Sequence, residues 1–223
     1  RAGYSRRRGP GPRPSDSAPS TVNYAIASWQ IERSRHSLSR CDHSPSALPQ
    51  LGAQLVNLLV TGGTGYIGSH TVRLLMQLGH AVWVYDDCQR GHRAAVPGDR
   101  LIEGEVGDRE RIEHVLRDRR IEAVVHLAAL ALVGESVDDP ELYDRKNRQA
   151  SATLFEAMQA VGVRRIVFSS TTATYGAPEQ MPIDETTPQR PINPYGMTKL
   201  AVEQMLNERC TRDGWAILAL RYF

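Results

Sequence analysis

From Leu55 onward the 223-residue sequence predicts an α/β fold built on a doubly wound parallel sheet. Three observations carry that prediction. Short apolar runs alternate with amphipathic stretches. Several runs lack the polar alternation of a one-faced sheet, as strands covered on both faces do. The first run feeds a glycine-rich turn that opens a helix. A β-α-β-α rhythm of this kind implies right-handed crossovers between parallel neighbours.

Taken in order, Val56–Thr61 reads as the first strand and Ile67–Leu78 as the first helix. Strands at Ala81–Asp86, Arg100–Glu103 and Ala123–Leu127 follow, with a helix over Arg109–Arg119 between the last two. Pro140–Ala160 predicts a helix, its start marked by the acids Asp138, Asp139 and Glu141, which favour the positive end of a helix dipole. Arg164–Ser169 is the fifth strand, Pro194–Arg209 a long helix and Ala216–Tyr222 the sixth strand.

Residues 1–54 have a different composition. They hold eight Arg, no Lys and three acids, so they carry +5 while the rest of the chain carries −3 of the net +2. Segments such as RRRGPGPRPSDSAPS have too few apolar groups to offset the entropy of ordering, which predicts a disordered extension. Three readings of it stand: translated upstream sequence that is not genuine coding sequence, an organellar leader, or a basic tail for nucleic acid. The last lacks interleaved aromatics. The domain division expected is therefore 1–54 and 55–223.

The three cysteines (Cys41, Cys88, Cys210) form no CxxC and have no histidine spacing for a metal, so no metal site is expected. A reduced cytoplasmic protein fits that usage. No apolar run approaches the roughly 20 residues that span a bilayer.

Gly62, Gly65 and Gly68 form a G-x-x-G-x-x-G set between the first strand and the first helix. The first glycine permits a tight turn, the second a close backbone approach to a pyrophosphate, the third close packing of the helix on the sheet. Free N–H groups at that helix start favour phosphate. Asp86 ends the second strand 24 residues after Gly62, where it can accept bonds from an adenosine ribose diol. That pairing points to NAD rather than its 2′-phosphate analogue.

A second constellation lies 24 residues past Thr171, where Tyr195 and Lys199 stand at i and i+4 in Asn193-Pro194-Tyr195-Gly196-Met197-Thr198-Lys199. On a helix both side chains share a face. An ammonium near a phenol stabilises the phenolate, making Tyr195 a general base, and Thr171 would bond and orient the reacting hydroxyl. His126 at a strand end reads as a packed or hydrogen-bonded histidine. Glu135 and Ser136 are read as loop residues without a catalytic role.

TGGTGYIGSHT (61–71), Asp86, HLAALALVGES (126–136), FSSTTATYG (168–176), NPYGMTKLAVEQ (193–204) and LRYF (220–223) resemble the UDP-glucose 4-epimerases. These belong to the extended short-chain dehydrogenase/reductases of the NAD-dependent epimerase/dehydratase family. The resemblance covers about Leu55 to Phe223. It implies an NAD-binding Rossmann fold and interconversion of UDP-glucose and UDP-galactose by reversible hydride transfer at sugar C4. Tyr195 is then the base, Lys199 and Thr171 its catalytic partners, and Thr171 and Tyr195 the substrate contacts. Cofactor contacts carried over by position are Gly62, Gly65, Tyr66, Ile67, Gly68, Asp86, Glu105, Val106, Leu127, Ala128, Ala129 and on to Ala131, Asn147, Tyr195, Lys199, Tyr222 and Phe223. A homodimer through helices of this domain is implied as well.

Departures are visible. Glu105-Val106 stands for Asp-Ile near the adenine, Ala131 for a frequent Lys, and Arg148 for an apolar residue that would burden a core if buried. The chain ends at Phe223, where relatives continue into a small domain that grips the uridine diphosphate. That domain is expected to be missing, leaving an NAD binder with negligible turnover, because remote binding energy supports catalysis.

Other UDP-sugar 4-epimerases remain open, as does a non-catalytic NAD-binding fragment. A sugar-nucleotide 4,6-dehydratase would need an Asp-Glu or Asp-Gln pair after Thr171, where Thr172 and Ala173 stand.

Overall fold

The computed structural model describes residues 55–179 and 181–223. The expectation for 1–54 lies outside the described residues. The strands are β1 (Asn57–Thr61), β2 (Ala81–Asp86), β3 (Leu101–Glu103), β4 (Ala123–His126), β5 (Arg165–Thr171) and β6 (Ala216–Tyr222). They form one sheet in the order β3-β2-β1-β4-β5-β6, parallel throughout. The helices are α1 (Tyr66–Gln77), α2 (Arg109–Asp118), α3 (Val133–Asp138), α4 (Pro140–Tyr143), α5 (Ala150–Val161) and α6 (Pro194–Asp213). Strand order reverses between β1 and β4, and a doubly wound sheet opens a crevice at the carboxyl ends of its strands at that point.

The two faces of the sheet are covered unequally. Leu59, Tyr85, Val124, Ile166 and Phe168 on one face pack with Ile112 and Leu116 of α2, Leu154, Phe155 and Met158 of α5, and Val202 and Leu206 of α6. On the other face Val60, Val82 and Val84 meet Val72 of α1. Each such side chain fully removed from water contributes about 1.5–3 kcal/mol. Near β6 the sheet is barer, and Leu218 stays 54% exposed.

Local chemistry sets the helix ends. Asn193 caps α6 by accepting the Gly196 N–H at 2.8 Å, with Pro194 in the first turn, and Gly214 closes the helix in the left-handed region. That cap carries α6 to Asp213, past the expected Arg209. Asp139 caps α4, as its acidic start predicts. β5 runs on to Thr171, because its pairing with β6 continues to Tyr222.

Two features differ from the sequence reading. Val133–Asp138, including Glu135 and Ser136, is a short helix rather than a loop. The expected helix over Pro140–Ala160 is interrupted by a π-helical turn at Asp144–Gln149. Such insertions are frequent at functional sites. Arg148 does not burden the core, since it pairs with Asp144 at 2.5 Å and its side chain is 42% exposed.

Candidate active site

The crevice at the β1–β4 reversal is lined by glycines and alanines together with charged and apolar side chains. Gly62, Gly65, Asp86, Glu105, Val106, Leu127, Ala128 and Ala129 all line it. Leu130, within the expected Leu127–Ala131 stretch, joins them, as do Arg90, Gly104, Lys146 and Ala150, which the sequence reading missed. Gly62 sits at φ +73°, and a Cβ there would lie 2.5 Å from the Ala128 nitrogen. Gly68 is required for a reason other than the expected one: its Cβ would overlap the Gly62 carbonyl, so the helix packs against the loop itself.

The glycine loop is built to receive an anion. α1 begins at Tyr66, after Gly65 at the N-cap, with no side-chain cap and no acid in its first turn, so its leading N–H groups stay free. The Asp86 carboxylate is buried and organises the neighbourhood, accepting the Thr64 N–H at 2.9 Å and the Cys88 N–H at 2.8 Å. Each oxygen keeps further acceptor capacity for a hydroxyl. The Thr64 hydroxyl is buried without a hydrogen-bond partner among the described residues.

Beneath the crevice runs an ordered polar chain. The Ala128 N–H donates to Thr61 Oγ1 at 3.4 Å, and that hydroxyl lies 2.7 Å from His126 Nδ1. His126 Nε2 is 2.9 Å from Ser151 Oγ, whose proton goes to the Asn147 carbonyl at 2.5 Å. Because Ser151 spends its proton there, Nε2 must carry the imidazole hydrogen and Nδ1 accept from Thr61. Burial, aided by the Lys199 charge, pushes the His126 pKa down to about 3, so the ring is neutral. It is a structural histidine, as its sequence position suggested.

Asn147 faces this framework rather than the open crevice. Its amide brackets Leu130, accepting the N–H at 2.8 Å and donating to the carbonyl at 2.9 Å, and it donates to Thr198 Oγ1 at 3.3 Å. Asn147 thereby joins the crevice to α6.

Tyr195, Lys199 and Thr171 come together at the α6–β5 corner, Tyr195 and Lys199 four residues apart on α6 and Thr171 at the end of β5. The Tyr195 N–H donates to Ser136 Oγ at 3.2 Å, so α3 steadies the start of α6. Burial raises the Tyr195 phenol above its ordinary pKa, and the neighbouring Thr171 hydroxyl works against that rise. The Lys199 ammonium donates to the Ser169 carbonyl at 2.9 Å and sits 5.9 Å from the centre of the Tyr195 ring. Burial lowers Lys199 to about 7, with Glu203 opposing.

Glu203 was not singled out from the sequence. It is buried one turn beyond Lys199 and accepts bonds from Ser170, from Gln189 at 2.9 Å, and from the Arg221 fork at 3.0 and 2.7 Å. Burial works to raise its pKa, but these donors hold it below the ordinary carboxylate range. Ser170 lies between the residue that holds Lys199 and Thr171, so this cluster anchors the corner.

The remaining expected contacts lie outside the crevice lining. Tyr66 and Ile67 are exposed at the start of α1, Tyr222 is 42% exposed and Phe223 91%. Among the described residues no group of three or more His, Cys, Asp or Glu could hold a metal. No described helix is long and apolar enough to cross a membrane.

Comparison with known proteins adds the following. The family model described as "NAD dependent epimerase/dehydratase family" matches residues 58–223. The chain is 47% identical over 169 residues to a UDP-glucose 4-epimerase of Corynebacterium glutamicum, covering 75% of this chain and 51% of that protein. It is 46% identical to one from Lacticaseibacillus casei over the same shares. A UDP-glucose 4-epimerase from Brucella ovis, solved in complex with NAD, superposes with a TM-score of 0.73 at 44% identity, over 75% of this chain and 52% of the other. One from Thermotoga maritima, solved with UDP-glucose, gives 0.72 at 36% identity, over 74% and 55%. The chain thus spans about half the length of the relatives it matches.

Proposed function

Because the chain belongs to the NAD dependent epimerase/dehydratase family, we propose that its crevice holds NAD and that its α6–β5 corner performs the proton transfers of UDP-glucose 4-epimerisation. One observation carries the reading. Tyr195 and Lys199 share one face of α6 beside Thr171, at the same carboxyl edge of the sheet as the glycine loop.

Gly62, Gly65 and the uncapped start of α1 would take the pyrophosphate, and Asp86 the adenosine ribose. When bound, the cofactor supplies the two-electron acceptor, and in the return direction the donor, for the sugar C4 carbon. The residues of this chain handle the proton. Thr171 bonds the C4 hydroxyl and fixes its direction. Tyr195 accepts the hydroxyl proton at its phenolate oxygen and returns it once the sugar has turned its other face. Forming that phenolate requires positive charge nearby, because burial alone raises the phenol. Lys199 contributes through the ring face, and the positive nicotinamide would add to it.

One feature bears on the alternatives. Thr172 and Ala173 open a single 3₁₀ turn after β5 and carry no carboxyl group, which disfavours a 4,6-dehydratase. A different UDP-sugar remains compatible with everything in this half of the fold. The same reading takes with it a cytoplasmic location, a homodimer, and a separate leading segment over 1–54.

Calorimetric titration with NAD⁺ tests the cofactor half: the chain should bind it, and Gly62→Ala should abolish binding, since the new Cβ meets Ala128. Turnover by a chain of this half-length is expected to be negligible, so the chemical half is read in a chimera carrying residues 55–223 in place of the matching half of the Thermotoga maritima relative: there the band of reduced nicotinamide formed on adding UDP-glucose should grow about 10²–10⁴-fold more slowly with Tyr195→Phe. NAD⁺ binding indifferent to Gly62→Ala sinks the first part, and reduction indifferent to Tyr195→Phe the second.

A further inference from the structure

Of the 27 basic side chains in this sequence only two are lysines, Lys146 and Lys199. Lys199 lies in the Tyr195 corner. Lys146 projects from the π-helical turn into the crevice, where its ammonium donates to the Glu105 carboxylate at 2.7 Å. Every other ion pair between the described residues uses an arginine. Arginine pairs with carboxylates in two-point geometry and is the stronger partner. A need for pairing strength therefore does not account for a lysine at 146. Nor does stability, because the two side chains are 26% and 54% exposed and such pairs contribute little.

The surroundings of Glu105 explain the pair better. Its carbonyl accepts the Tyr85 hydroxyl at 3.2 Å and the Asp108 N–H at 2.9 Å, so its backbone is fixed in the turn after β3. Its side chain, longer than an aspartate's, is fixed only by Lys146 among the described residues. Sheet order then places it. Asp86 ends β2, and β3 lies one strand further out, with Glu103 paired to Asp86. A dinucleotide whose adenosine ribose meets Asp86 has its base against the β3 turn. Ala150, four residues after Lys146 at the start of α5, lines the same crevice with a small side chain.

We propose that Lys146 is a positioning residue for base recognition: its ammonium aims the Glu105 carboxylate at the exocyclic amine of the adenine. The proposal rests on the NAD reading above and goes beyond it by assigning the residue that makes a long acid act as a directed acceptor. A carboxylate accepts from the adenine amine and repels the carbonyl oxygen that hypoxanthine carries in its place.

The test is titration of the chain with NAD⁺ and with nicotinamide hypoxanthine dinucleotide. The wild type should prefer NAD⁺ about tenfold, the worth of one hydrogen bond to a charged acceptor. Lys146→Met and Glu105→Gln should each lose most of that preference while holding the hypoxanthine compound within about twofold of wild type. The double variant should lose no more than either single, because both act through one contact. Lys146→Arg should keep the preference and bind both dinucleotides more weakly, its bulkier guanidinium taking crevice space.

A Lys146→Met chain that weakens both dinucleotides equally, or that leaves the preference intact, overturns the proposal. So does additivity in the double variant. A wild-type chain that is folded by circular dichroism yet binds neither dinucleotide overturns the NAD reading, and the proposal with it. That failure is distinct from binding without discrimination.

Discussion

The crevice and the α6–β5 corner are assembled in opposite ways. The crevice is a void defined by what is missing: no Cβ at Gly62 and Gly65, no cap on α1, small residues at Ala128, Ala129 and Ala150. Its floor is held from below by the Thr61–His126–Ser151 chain. The corner is a solid defined by what converges. Four donor groups from three other stretches of chain close on the Glu203 carboxylate, and the Arg221 fork also reaches the Tyr175 hydroxyl at 2.5 Å. A region that must admit a large ligand is shaped by omission. A region that must hold one phenol beside one hydroxyl is shaped by charge pairs.

The largest effect that would break this contrast is at Glu203. Glu203→Gln leaves the Arg221 guanidinium largely buried without its counter-charge, and removing one member of such a pair costs about 3–5 kcal/mol. Urea unfolding should show that loss, and replacing Glu203 and Arg221 together by Met should recover part of it. A Glu203→Gln chain within about 0.5 kcal/mol of wild type would remove the corner's claim to be held by charge.

The crevice's foundation is tested by acid. His126 has its folded pKa lowered to about 3 against an ordinary 6.5, so the folded state binds fewer protons than the unfolded one between those values. Stability is then greatest above pH 6.5 and falls as pH drops toward 3, by at most about 1.4 kcal/mol per pH unit from this group. His126→Gln should flatten that limb of a stability–pH profile. An unchanged slope would mean the ring is already charged or is not buried.

The smallest effect expected is at the start of α6. Asn193→Ala removes the acceptor of the Gly196 N–H and should cost about 1 kcal/mol, whereas Asn193→Gly should cost only a few tenths. Equal costs for the two would show that the side-chain cap contributes little to holding Tyr195.

The same contrast explains what could be read from the sequence. The crevice was legible because omission leaves a local signature: glycines three apart, an acid at a strand end, apolar runs in alternation. Tyr195 and Lys199 were legible because i and i+4 on one helix is also local. Glu203–Arg221 spans 18 residues, Lys146–Glu105 spans 41, and neither has a spacing that announces it. The π-helical turn was invisible because its residues read as ordinary helix. VGESVD looked like a loop because six residues show too little periodicity, and its Tyr143 and Tyr195 contacts come from later in the chain.

The sheet order also imposes a schedule. β1 comes first in the chain but pairs on one side with β4, Leu58 lying opposite Ala123 and the residues of this ladder 65 apart. Non-local pairings of that kind slow folding, since the loop between the strands must close before any contact rewards it. On a ribosome that synthesises about 5–20 residues per second, the glycine loop is complete several seconds before β4 exists to bury its floor. During that interval β1 can pair only with β2, and the edge of β1 that β4 later covers stays unpaired in the nascent chain.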